Sequence, residues 1–235
     1  MKALRERLRA ARSVMVLTGS GISAESGLPT FRGAGGLWRT HRVEDLASPQ
    51  GFARDPRLVW TWYNERRLVH KNAEPNGGHL AIAQLETQFA DFTLATQNVD
   101  SLHLRAGSRN VLELHGNLRE ARCARCAKRR SIENGLPLDE IVHTCGGSFR
   151  PDIVWFGEGL DSTIWRRAVE AVQRAEVLVV IGTSGMVNPA ASLASRFARD
   201  AYVVEINPEE TVLSAYCNVT IRATAVAALP QLVAQ

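Results

Sequence analysis

Several small groups of residues in this sequence have the types and spacing of working chemistry. Cys123 and Cys126 form a C-x-x-C, and Cys145 follows in "TCGGSFRP" with His143 two residues before it. Thiols so placed bind metal or run redox chemistry, and Arg119, Arg122, Arg125, Arg129 and Arg130 nearby favour the thiolate. With Cys217 the cysteines number four, too few and too clustered for the disulfide framework of a secreted domain. Gly19, Gly21 and Ala24 in "VLTGSGISAESG" make a G-x-G-x-x-A turn. Small residues there let backbone amides approach a pyrophosphate, although strand-to-helix turns also use glycine for structural reasons alone. His115 in "LELHGN" is suited to removing a hydroxyl proton near neutral pH, with a structural histidine as the plainer reading. Gln97, Asn98 and Asp100 offer amides and a carboxylate, or simply a polar loop in which Asp100 caps the next helix. Tyr63 and Arg66, three apart on a predicted helix, share a face. Together they can grip a carboxylate by two guanidinium bonds and one phenol bond, or be an aromatic resting under a surface arginine. Arg67 is expected to face away.

The elements that must position these groups follow from the apolar pattern. Leu4, Leu8 and Ala11 recur at helical spacing. Short apolar runs then appear as "SVMVLTG", "DFTLATQ", "VLEL", "EVLVVIG", "AYVVEI" and "CNVTI", mostly with helical segments between them. Such alternation predicts an α/β fold, a mainly parallel sheet covered on both faces. Two stretches break the rhythm: 31–86, glycine-rich and then helical with Trp38, Trp60 and Trp62, and 119–150, with the cysteines and arginines. They read as insertions that build a small domain (31–86 and 119–150) on a large one (1–30, 87–118 and 151–235). The acid that binds ribose at the end of a second strand in a plain dinucleotide fold is missing, since Glu44 and Asp45 lie in no strand-like run.

At 235 residues and 45% hydrophobic, the chain can bury a full core, which excludes a disordered or fibrous protein. Its formal charge of +4 comes from basic residues scattered among 24 acids, so acidic ligands are expected rather than nucleic acid. No run reaches the roughly 18 apolar residues of a membrane helix, and the N-terminal "MKALRERLRAARS" lacks the apolar core of a leader. A soluble, cytoplasmic, monomeric protein is the expectation.

The segments "GSGISAESGLPTFRG", "TQNVDSLH", "LHGN", "RPDIVWFGE", "GTSGMVNPA" and "EINPE" occur in this order across nearly the whole chain. This ordered set closely resembles the sirtuin family of NAD-dependent protein lysine deacylases. The resemblance implies a Rossmann-type large domain, a small domain made of a helical module and a zinc ribbon, and a cleft between them where NAD meets an acyl-lysine protein. It assigns NAD contacts to Gly19, Ser20, Gly21, Ala24 and Glu25, and to Phe31, Arg32 and Trp38 in a loop that closes over the cofactor. Further contacts fall to Gln97, Asn98 and Asp100 near the nicotinamide ribose, to Gly182, Thr183 and Ser184, to Asn207 in place of the missing acid, and to Ala225.

By the same resemblance His115 is the general base, with Asn98 and Asp100 beside it. Nicotinamide leaves as the acyl oxygen attacks the anomeric carbon, His115 deprotonates a ribose hydroxyl, and water entry yields lysine and O-acyl-ADP-ribose. Val154, Phe156, Gly157 and Glu158 are implied to hold the substrate peptide. The Tyr63–Arg66 pair resembles the branch that removes succinyl and malonyl groups, whose bacterial members often act on acetyl-lysine too. A zinc ribbon implies a fourth cysteine at 142, where this chain has Val142. Either His143 completes a set with Cys123, Cys126 and Cys145 from a displaced position, or the ribbon binds metal weakly or not at all. A non-catalytic NAD or ADP-ribose sensor and a mono-ADP-ribosyltransferase are the alternative functions.

Overall fold

The computed structural model describes residues 1–30 and 42–233; Phe31, Arg32 and Trp38 lie outside the described residues. In chain order the elements are α1 (Lys2–Ala10), β1 (Ser13–Thr18), α2 (Val43–Leu46), α3 (Pro49–Arg54), α4 (Pro56–Asn72), α5 (Gly77–Glu86), β2 (Asp91–Thr96), α6 (Leu102–Arg105) and β3 (Val111–Glu113). There follow β4 (Gly116–Cys123), β5 (Arg129–Ser131), β6 (Phe149–Ile153), α7 (Ser162–Arg174), β7 (Val177–Ile181), β8 (Tyr202–Ile206), β9 (Val219–Ile221), α8 (Ala225–Ala228) and α9 (Pro230–Val233). Among the described residues no helix is long and apolar enough to cross a membrane.

Six strands form one parallel sheet in the order β3-β2-β1-β7-β8-β9. Every residue of β1 and β7 is buried, as expected of central parallel strands covered on both faces. On one face Leu4 and Leu8 of α1, Ile82 and Leu85 of α5 and Leu229 pack against Val14, Val16, Val179 and Val204. On the other, Ala168, Ala171 and Val172 of α7 cover Met15, Leu17, Leu178 and Val180. The last strand is shorter than its apolar run because the Asn218 side chain is spliced into the ladder, its Oδ1 accepting from Val203 N at 2.7 Å. The connection reverses direction between β1 and β7, the place where open α/β sheets bind ligands.

A second core belongs to the interrupting stretches. Antiparallel β5-β4-β6 packs Leu118, Ala121, Phe149 and Ile153 against Val59, Trp60 and Tyr63 of α4. Asp55 caps α4 through Leu58 N at 2.9 Å, with Pro56 beginning the first turn. Trp60 Nε1 then donates to Phe149 O at 2.8 Å, and Asn64 bonds both backbone groups of Leu136. Helical module and ribbon thus share one interior. By contrast α5 lies under the large sheet, because Ala81, Ile82 and Leu85 complete that core, although the sequence pattern groups 31–86 together.

Candidate active site

A cleft of about 1080 Å³ opens at the C-terminal ends of β1, β2, β7 and β8 and runs to α4 and the segment after β6. Its floor is an unusually close backbone crossing. Gly21 N donates to Gly182 O at 2.8 Å, and a Cβ on Gly21 would lie 2.8 Å from Gly182 Cα. Gly182 has φ +58, and a Cβ there would meet Ile22 N at 2.5 Å. The chain continues as a 3-10 helix over Ser20–Ser26, not an α-helix, and ends at Gly27 in the left-handed region. Ser20, Ala24, Glu25, Thr183, Ser184, Asn207 and Ala225 all line the cleft. Gln97 Nε2 donates to Thr183 Oγ1 at 3.0 Å and Asn207 Nδ2 to Thr183 O at 3.1 Å, so three strand ends are fastened around one threonine.

His115 follows β3, and its carbonyl accepts from Val154 N at 2.9 Å. The next residue, Gly116, has φ +75, and a Cβ there would lie 2.0 Å from Asp152 O, so the turn into β4 requires glycine. His115 Nδ1 lies 3.0 Å from Gln97 O. A carbonyl only accepts, so Nδ1 carries the proton and Nε2 keeps its lone pair. Burial lowers the His115 pKa, partly offset by that bond, and the ring is neutral at pH 7. In a cleft wall this is the form of a general base.

Asn98 lines the cleft, whereas Asp100 stands behind it. Asp100 Oδ2 accepts from Ser23 Oγ at 2.7 Å and Oδ1 from Leu102 N at 2.9 Å, so it also anchors the first turn of α6. Ser23 in turn accepts from Asn98 Nδ2 at 3.1 Å and lies 3.4 Å from His79 Nε2. His79 Nδ1 accepts from Asn76 N in a capping box, which directs the Nε2 proton toward Ser23. Ser23, His79 and His103, whose ring meets His79 at 4.9 Å, escape a sequence reading. Only the N-G-G-H helix start hints at His79.

The Sir2 family pattern matches residues 19–189. The chain belongs to the Sir2 family. It is 49% identical to NAD-dependent protein deacylase 2 of Pyrobaculum aerophilum over 231 residues, 96% of this chain and 92% of that one. An ADP-ribose complex of a mutant Sir2 homologue superposes with a TM-score of 0.95 at 43% identity, covering 99% of this chain and 95% of the other. A complex of Sir2 with a p53 peptide and NAD+ gives a TM-score of 0.86 at 32% identity, over 99% and 96% of the two chains.

At the α4 end of this Sir2 cleft, Trp62, Tyr63, Arg66, Trp155 and Phe156 form the walls. Tyr63 is buried, and its oxygen accepts from Trp155 Nε1 at 3.0 Å. Burial pushes its pKa up to about 12, so the phenol keeps a proton to donate. Arg66 lies with its guanidinium carbon 4.6 Å from the Trp62 ring centre; burial lowers its pKa to about 10, which leaves it charged at pH 7. Arg67 turns the other way and donates to Ile132 O, as the helical spacing requires. Val154, Gly157 and Glu158 also line the cleft. The Glu158 carboxylate, however, is engaged by the Arg150 guanidinium and by Trp155 N at 2.8 Å, so it shapes the loop from within.

A further determinant is Glu205 of β8, 1% exposed. It accepts from Arg222 Nη1 at 2.7 Å, from Ser214 Oγ and from Thr211 Oγ1, and thereby folds 207–214 back over the cleft beside Asn207.

The metal ligands expected of a Sir2 ribbon converge away from the cleft. Cys123, Cys126, His143 and Cys145 present ligand atoms that all lie within 4.8 Å of one another. Cys123 Sγ is 3.5 Å from Cys145 Sγ, and His143 Nδ1 is 3.6 Å from Cys126 Sγ and 3.1 Å from Cys145 Sγ. Tetrahedral zinc with ordinary bond lengths sets such atoms about 3.5–3.8 Å apart, a spacing that the observed separations bracket, so the donor set fits zinc with small side-chain adjustments. Extended backbone explains the ligand's position. Ile141 is buried, Val142 is 70% exposed, and His143 turns inward, its N bonded to Gly147 O at 2.7 Å. A cysteine at 142 would point into solvent.

Proposed function

We propose that this chain is an NAD-dependent protein lysine deacylase that removes acetyl and carboxylate-bearing acyl groups, succinyl and malonyl, from lysine side chains. The products are nicotinamide, free lysine and O-acyl-ADP-ribose. NAD, when bound, supplies a ribose carbon open to attack and a nicotinamide leaving group. The observation that carries the reading is the His115 ring, fixed by Gln97 O so that an unprotonated Nε2 belongs to the wall of the cleft. His115 takes the proton of a ribose hydroxyl, and Asn98, held by Ser23, orients the nicotinamide end. Asp100 acts on that end through Ser23. Gly19, Gly21, Thr183, Ser184, Asn207 and Ala225 receive the rest of the dinucleotide. The substrate backbone lies along Val154 to Gly157, and its acyl group enters between Tyr63, Arg66 and Phe156, where phenol and guanidinium bond a terminal carboxylate. Zinc, held by Cys123, Cys126, His143 and Cys145, has a structural role, since these residues stand apart from His115.

One peptide carrying acetyl-, malonyl- or succinyl-lysine, incubated with and without NAD and followed by mass spectrometry, tests this. NAD-dependent loss of acyl mass matched by nicotinamide release is the expected result. Nicotinamide release with ADP-ribose added to protein would make it an ADP-ribosyltransferase, and NAD binding without turnover a sensor.

A further inference from the structure

His70 lies one helical turn beyond Arg66 on α4, with Nε2 3.4 Å from an Arg66 terminal nitrogen. A guanidinium nitrogen only donates, so Nε2 is the acceptor and the proton sits on Nδ1. Nδ1 is buried and has no hydrogen-bond partner among the described residues. An apolar side chain would fill this site without leaving a buried N–H unmatched, a defect that ordinarily destabilises a fold. Nor does His70 serve as a positive charge at the end of α4. Burial and the neighbouring Arg66 charge hold its pKa near 3, so the ring is neutral at pH 7.

What the imidazole does contribute is direction. Trp62, Arg66 and His70 are spaced four apart, so the guanidinium lies between an indole face on one side and a lone pair on the other. Arginine carries large rotamer freedom, and an acceptor behind the fork takes up one N–H and removes part of that freedom. We propose that His70 is a positioning residue for acyl specificity, holding the Arg66 guanidinium in the geometry that receives an acyl group ending in a carboxylate. The inference rests on the reading of Arg66 as the carboxylate receptor.

The test compares succinyl and acetyl forms of one peptide at saturating NAD for the wild type, His70→Leu, His70→Gln and Arg66→Met. His70→Leu is expected to raise KM for the succinyl peptide about 10-fold with kcat within about twofold, and to lower the succinyl-to-acetyl ratio of kcat/KM accordingly. His70→Gln, whose amide oxygen reaches near the Nε2 position, restores most of the ratio and serves as the folded control. If Arg66→Met collapses the ratio while His70→Leu leaves it unchanged, or His70→Leu weakens both peptides equally, the positioning role is overturned and the acyl-pocket reading stands. If Arg66→Met also leaves the ratio unchanged, both fall.

Discussion

Trp155 and Tyr63 meet at the end of the cleft through a 3.0 Å hydrogen bond in which the indole nitrogen donates to the phenol oxygen. The phenol proton is therefore directed elsewhere, and burial keeps it in place to about pH 12. Tyr63→Phe is expected to reduce kcat/KM for a succinyl peptide about 10-fold relative to the acetyl peptide. It also strands the Trp155 N–H, at about 1–3 kcal/mol, so the melting temperature falls as well. A fall in melting temperature with an unchanged succinyl-to-acetyl ratio would reduce Tyr63 to a packing residue.

His115→Ala should lower turnover by roughly 100- to 10,000-fold while calorimetry still detects NAD binding. The pH profile carries a second sign. The base works when neutral, and burial lowers its pKa, so activity falls only on the acid side of the usual histidine value of about 6.5. An acid limb centred above pH 7 would exclude His115 as the titrating group.

Protein purified without chelator is expected to hold close to one zinc per chain, and His143→Ala to lose most of it. Chelation should lower the melting temperature, because the three thiols and the imidazole would tie the turn after β4 to the turn before β6. Metal-free protein with an unaltered melting curve would show that the ribbon stands by packing alone.

Acid stability gives another readout. Burial lowers the pKa of His70 and His103 to about 3 and of His79 to about 4. Since the unfolded chain protonates these groups near pH 6.5 and the folded one does not, stability is full above that pH and declines as pH falls toward 4. At pH 5.5 each group accounts for a loss on the order of 1 kcal/mol. Urea titrations at pH 7.5 and 5.5 should show the difference, with His103→Asn reducing it by about a third. A midpoint that does not move over that range would contradict the neutral assignment.

The large sheet was legible because each central strand is an uninterrupted apolar run, and alternation with helices leaves few topologies. The Tyr63–Arg66 pair was legible too, since helical spacing alone decides that both share a face while Arg67 faces away. Trp155, Ser23 and Glu205 were not. Trp155 and Ser23 act on segments distant in sequence, and Glu205 gathers Thr211, Ser214 and Arg222 from the irregular stretch that follows β8, so no helical or strand period reports any of these contacts. The choice of His143 over position 142 depends on the phase of an extended segment set by its pairing with 147–149, which spacing between cysteines does not encode.

The contact between Gly21 and Gly182 has a consequence for how variants of this protein behave. Any side chain at either position forces apart the ends of β1 and β7, the two central strands. Gly21→Ala would therefore weaken nucleotide binding and the sheet junction in one stroke, and excess NAD would rescue both together. A single methyl group at this spot would thus be felt at once by the cofactor cradle and by the framework that carries it.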